Sequence, residues 1–178
     1  MRKIFAVIAL AAILLSLLSG CSTRPESAET TSSPIQSGIS PEEILNNLVE
    51  MLEPLADQFE MTQQPKEILE GGKTCYPARV TDKILNRGYD ILIYCTQSGD
   101  AETVLLMAER STSTELNFPV LSFYMYKSIN LLEMNADDFY AHFNMLTEQP
   151  DGSLTADGWR ALATTTDGHL TFGLTFMP

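Results

Sequence analysis

Basic residues are scarce in this chain. Its 178 residues include 11 lysines and arginines against 23 aspartates and glutamates, a formal charge of −12. No cluster of Lys or Arg is present to contact phosphates, so nucleic-acid binding is disfavoured. There are two histidines, His142 and His169, too far apart in sequence to suggest a zinc site. The acids do not match a calcium loop either. The stretch "DGSLTADG" at 151–158 has turn chemistry but lacks alternating oxygen ligands and a terminal glutamate. Three cysteines contain no Cys-x-x-Cys pair, which argues against a dithiol redox centre. No metal and no cofactor is expected, and no internal repeat is visible.

What is present begins with Arg2 and Lys3, followed by an uncharged run from Ile4 to Gly20. A positive start and an apolar stretch make the pattern of a secretory signal peptide. As a membrane span the Ile4–Leu18 run is short of the ~20 apolar residues needed, and a polar, proline-containing segment follows it. The run ends in Leu18-Ser19-Gly20-Cys21. An aliphatic residue, two small residues and a cysteine resemble the lipobox of bacterial lipoproteins. The resemblance covers about the first 21 residues. It implies that residues 1–20 are removed, that Cys21 becomes the first mature residue, and that its thiol carries a diacylglyceryl group with palmitate-type chains. Two chains anchor far more stably than one, at ~0.8 kcal/mol per buried CH₂. The resemblance places the protein outside the cytoplasm, lipid-anchored to a bacterial membrane. Ser22 in place of Asp does not favour inner-membrane retention in a two-membrane cell; cell membrane and outer membrane both stay open.

Loss of residues 1–20 leaves nine basic side chains against 23 acidic ones, a formal charge of −14. Such a domain is repelled by an anionic bilayer, and its acidity also serves solubility. Residues 22–39, "STRPESAETTSSPIQSGI", hold too little apolar surface to offset the entropy of ordering. With Cys21 they read as a lipidated tether over 21–39, reaching ~25 Å as a flexible coil. Residues 40–178 are enough for one globular domain.

Ser40-Pro41-Glu42-Glu43 is a helix start, with Ser40 as N-cap and Pro41 where its missing N–H is harmless. Ile44, Leu45, Leu48, Val49, Met51, Leu52, Leu55, Ala56 and Phe59 fall on one face of the wheel, and the acids fall opposite. This predicts one amphipathic helix from 41 to about 62, kinked at Pro54. Strand-like runs follow: "CYPARVTDKIL" and "YDILIYCT" around a turn at Arg87-Gly88, then "ETVLLMAER", then "NFPVLSFYMYKS". "NADDFYAHFNML" reads as a helix capped by Asn135, with Phe139, Phe143 and Leu146 as its apolar stripe. The chain closes on "WRALATTT-DG-HLTFGLTF", a hairpin with a two-residue Asp167-Gly168 turn. That turn pairs Thr166 with His169, Ala163 with Phe172, Ala161 with Leu174 and Trp159 with Phe176. The fold class is α+β: a mostly antiparallel sheet of about six strands, a kinked N-terminal helix, and a second helix before the C-terminal hairpin.

Cys75 and Cys95 are the thiols left after Cys21, and outside the cytoplasm such a pair suggests a disulfide. A turn at Arg87-Gly88 opposes the idea. It sets Cys95 against Val80 and leaves Cys75 ~16 Å along the strand, beyond bridging distance. A fold-back at Pro77, a wider turn and free thiols are the alternatives. Asp138 and His142 stand four apart on one predicted helix, so a carboxylate could orient the imidazole, but nothing nominates a nucleophile. Tyr124 and Tyr126 share a pleat face with Phe118 and Val120; were that face open, they would form a stacking surface for a sugar or peptide. Together these features describe a lipid-anchored binding or protein-interaction module of the cell envelope, not an enzyme. Its partners would be the membrane through Cys21 and an envelope protein or small ligand, with no nucleic acid. The alternative is a small envelope hydrolase using His142 and Asp138.

Overall fold

A computed structural model describes residues 38–129, 134–148, 154–156, 158–166 and 168–177. Residues 1–37, which include Cys21, the expected leader and most of the expected tether, lie outside the described residues. The elements run α1 (Pro41–Leu52), β1 (Phe59–Gln63), β2 (Glu67–Ile68), β3 (Thr74–Asp82), β4 (Arg87–Cys95), β5 (Ala101–Glu109), α2 (Thr112–Ser128), α3 (Ala136–Glu148), β6 (Leu154–Ala156), β7 (Trp159–Thr166) and β8 (His169–Phe176). One antiparallel sheet holds all eight strands in the order β1-β3-β4-β5-β8-β7-β6, with β2 also on the outer side of β3. The fold is therefore α+β, as its residue patterns imply.

Ser40 caps α1 as expected, its hydroxyl accepting from the Glu43 N–H at 3.2 Å. Ile44, Leu45, Leu48 and Leu52 are buried. The helix does not continue to residue 62. It ends at Leu52, and Pro54 sits in a single 3-10 turn, Glu53–Leu55. Pro54 has no N–H to give the carbonyl of residue 50, and here the chain turns rather than bends. After the turn, Phe59 is buried and Met61 packs on the core, while Glu60 and Thr62 point outward. That is the period of a strand, and β1 pairs Met61 with Val80.

The stretch "NFPVLSFYMYKS" is the second correction. It lies in α2, not in a strand. Ser111 and Thr114 cap the helix reciprocally: the Thr114 N–H donates to Ser111 Oγ at 3.2 Å, and the Ser111 N–H donates to Thr114 Oγ1 at 2.8 Å. Phe118, Leu121, Met125 and Tyr126 are buried at helical spacing. Pro119 is carried inside the helix. The second predicted helix forms as read: the Asp138 N–H donates to Asn135 Oδ1 at 3.0 Å, and Phe139 and Phe143 are buried. Leu146 carries no described side chain.

The terminal hairpin has the predicted register at every stated pair. Its face of Trp159, Ala161, Ala163, Leu170, Phe172 and Leu174 packs into the core, because small alanines stand opposite large side chains and a one-residue slip would expose the rings. β6, which was not expected, adds a short strand against Trp159–Ala161.

Among the described residues, α1, α2 and α3 share one buried cluster with a single face of the sheet, formed by Ala78, Val80, Tyr89, Ile91, Ile93, Cys95, Val104, Leu106, Phe172 and Leu174 among others. Phe139 is its aromatic hub. Its ring centroid lies 5.2 Å from that of Tyr126, 5.3 Å from Phe123, 5.7 Å from Phe172 and 5.8 Å from Phe143. The opposite face carries Cys75, Tyr94, Leu105 and Met107, which are buried outside that cluster. β4 and β5 thus bury apolar side chains on both faces, as central strands covered on two sides do.

Candidate functional sites

The β3–β4 turn decides the fate of the cysteines. It spans residues 83–86, not Arg87-Gly88, and Asn86 takes a left-handed φ of 50°. Thr74 therefore pairs with Cys95, Cys75 pairs with Tyr94, and Val80 meets Tyr89. The wider turn brings the two cysteines to adjacent positions, but their odd offset sends the side chains to opposite faces of the sheet. Both are free, buried thiols, and burial pushes each up to about 12. The disulfide is absent for a reason of parity, not of distance.

His142 and Asp138 sit on α3 as expected, yet they do not form a dyad. His142 Nδ1 lies 2.7 Å from the main-chain carbonyl oxygen of Asp138. The Asp138 carboxylate is exposed and accepts from Asn135 Nδ2 at 2.6 Å. A carboxylate spent on its own helix cap cannot steer an imidazole. His169 begins β8 opposite Thr166. Among the described residues, no group of three or more His, Cys, Asp or Glu side chains could hold a metal ion.

Tyr124 and Tyr126 are on α2, so the pleat-face argument for a stacking platform does not apply to them. Two residues apart on a helix, they point in different directions. Tyr126 is buried with its ring against Phe139, and Tyr124 is half-buried beside Phe123 at 6.1 Å.

Two features were missed. The first is Asp82, a fully buried carboxylate at the end of β3. Its Oδ1 accepts the N–H groups of Ile84 (2.9 Å) and Leu85 (2.8 Å). Its Oδ2 accepts from Gln58 Nε2 (3.2 Å) and Asn117 Nδ2 (2.5 Å). One side chain thus joins the β3–β4 turn, the approach to β1 and α2. Its charge, after burial itself, helps push the Tyr89 phenol up to about 12. An aspartate bonded to the N–H two residues on is a common turn device, and "TDKIL" carries that signal. The second feature lies beside it: Ile84 is 70 % and Leu116 68 % exposed.

On the helix-free side of the cluster, Tyr94 Oη, Arg160 Nε and Thr164 Oγ1 are buried without a hydrogen-bond partner. Register places all three on the same face as Leu105. Among the described residues, no helix is long and apolar enough to cross a membrane. No family model matches the chain, and neither curated proteins nor solved structures match it.

Proposed function

We propose that this protein is a lipid-anchored, extracytoplasmic module that binds another envelope component and performs no chemistry of its own. The observation that carries the reading is Leu18-Ser19-Gly20-Cys21 behind a charged start and an apolar run. The Ser- and Thr-rich segment after it supports a tether that holds an acidic domain off the lipid. The His142 hydrogen bond to a main-chain carbonyl favours binding over the hydrolase alternative, because the imidazole has no carboxylate to orient it.

Labelled palmitate given to the producing cells tests the anchor. The wild-type chain should take up label and migrate as the shorter, processed form, and Cys21→Ala should take up none. Label on Cys21→Ala, or its absence from wild type, would refute the anchor. Protease added to intact cells, or to cells whose outer membrane is opened, should remove the domain; a protected domain would refute the extracytoplasmic location.

A further inference from the structure

We infer that the face of the sheet turned away from the helices joins two copies of this chain, stacked sheet on sheet about a two-fold axis that runs along the strands between β5 and β8. The inference goes beyond the binding-module reading and does not depend on it. Among the described residues, no helix stands on this face. Three of its polar atoms, Tyr94 Oη, Arg160 Nε and Thr164 Oγ1, are buried without a hydrogen-bond partner. Tyr94 is 6 % exposed, so its hydroxyl cannot turn to water instead. Buried polar groups left unpaired are costly, so whatever lies on this face must bring a hydrogen-bonding group to three fixed points.

Register says where those points are. Across β4, β5, β8 and β7 one row of the face runs Tyr94, Thr103, Thr175, Arg160. The next row runs Leu92, Leu105, Gly173, Leu162, and the third Asp90, Met107, Thr171, Thr164. An axis along the β5–β8 boundary sets β4 of one copy over β7 of the other, row on row. Tyr94 then meets the partner's Arg160, and its phenol oxygen accepts the Nε–H. Thr164 meets the partner's Asp90. On that carboxylate Oδ1 already accepts from Arg79 Nη1 at 2.7 Å, and Oδ2 takes the threonine hydroxyl. One operation thus answers all three unpaired atoms. Shape agrees with it. Leu92 packs on the partner's Leu162, and Leu105 comes over the partner's Gly173. A Cβ at Gly173 would stand 2.8 Å from Leu105 Cδ2 of its own chain, so the two leucines share the middle of the interface over two bare glycines. An axis across the strands would instead stack leucine on leucine at β5 and glycine on glycine at β8. The axis along the strands also leaves both Ile39 carbonyls, each bonded to Ala101 at the start of β5, at one end, where two anchored chains can share a bilayer. Charge permits the pair: the chain is strongly acidic, yet the charged side chains of these rows are one aspartate and one arginine. Five strands by the nine residues of β5 give about 27 by 24 Å, or ~1,300 Å² over two copies, within the ~1,200–2,000 Å² of stable interfaces.

The test uses the full chain in the membranes of the cells that make it, with two differently tagged copies expressed together. One carries Leu92→Cys and the other Leu162→Cys, and copper phenanthroline joins thiols that face each other. The mixed pair should give a reductant-sensitive adduct of twice the chain mass, about tenfold more than either variant expressed alone. The native chain, with Cys75 and Cys95 buried, should give none. Tyr94→Phe in both copies keeps the ring and removes only the acceptor for Arg160. It should cut the mixed adduct about tenfold while near-ultraviolet dichroism shows the fold intact. Purified wild type in mild detergent should sediment as a dimer. A monomer with no doubled adduct, an equal adduct from Leu92→Cys alone, an adduct with a different polypeptide, or a yield untouched by Tyr94→Phe would overturn the inference.

Discussion

Replacing Asp82 by alanine should damage this protein more than any surface change of similar size. Its carboxylate is fully buried and has four N–H donors aimed at it. Hydrogen bonds to a charged acceptor contribute about 1.5–3 kcal/mol each, and bonds to one acceptor are not additive. Without the carboxylate, the N–H groups of Ile84 and Leu85 sit in a surface turn and can turn to water. Gln58 and Asn117 are only half-buried and recover part of their loss in the same way. The net penalty for Asp82→Ala is therefore about 3–4 kcal/mol, a large part of the 5–15 kcal/mol that holds a typical domain together. Asp82→Asn keeps one oxygen for the turn and sets an NH₂ against two amide donors. Both of those amides can rotate to offer an oxygen instead, so about 1–2 kcal/mol is expected. The assay is urea unfolding of the full chain in mild detergent, followed by near-ultraviolet dichroism. The predicted order is wild type, Asn, Ala. An Asp82→Ala chain within 1 kcal/mol of wild type would refute the claim that this carboxylate staples three elements.

Three further outcomes can be checked the same way. Phe139→Ala should cost about 3–5 kcal/mol by urea unfolding, since the fully buried ring touches aromatic neighbours on α2, α3 and β8; a loss below 1 kcal/mol would mean the hub repacks. Gly173→Ala puts a Cβ 2.8 Å from Leu105 Cδ2, the far end of a flexible side chain, and should cost about 1 kcal/mol. In a Leu105→Ala background that penalty should vanish, and simple additivity would contradict the contact. Cys75 and Cys95, raised to about 12 by burial, should resist thiol reagents at pH 8 until the chain is unfolded, with equal gel mobility with and without reductant. Because their folded values lie above the unfolded value of about 9, the stability they contribute is whole below pH 9 and falls as pH rises towards 12. A melting temperature that held steady from pH 9 to 11 would count against it.

Local signals that agree with one another were legible in the sequence. The Asp167-Gly168 hairpin could be written down pair by pair because a two-residue turn leaves one register that keeps Ala161 opposite Leu174 and Ala163 opposite Phe172. Ser40 and Asn135 announced helix starts through short-range capping chemistry. Misreadings came where two periods fit the same letters. Residues 118–126 are apolar or aromatic at nearly every position, so alternation and helical spacing both find matches; the Ser111–Thr114 cap, four positions before Glu115, decides for the helix. Phe59 fits the wheel of α1, yet belongs to a strand that a proline and a short turn separate from it. The cysteine geometry followed from turn width, a quantity that composition constrains poorly when Gly88 offers itself as the turn residue. Gly88 instead lies in β4 under the Arg79 guanidinium, the movable end of an exposed side chain that a Cβ would displace. Of the candidate sites, the exposed pair at 84 and 116 was illegible because exposure is a property of what packs nearby.

The strand made last is also a strand of the interior. β8 lies between β5 and β7, and Val104 pairs with Leu174 across the whole of α2, α3 and the C-terminal turn. Until residues 169–176 arrive, β5 has an open edge and the aromatic hub lacks Phe172. A chain emerging from its N-terminus therefore cannot complete this sheet until its tail is free. The sheet closes only when the whole of β8 is present. Folding here is timed by the arrival of eight residues, and a truncation at residue 168 should yield a chain that is made but never becomes a domain.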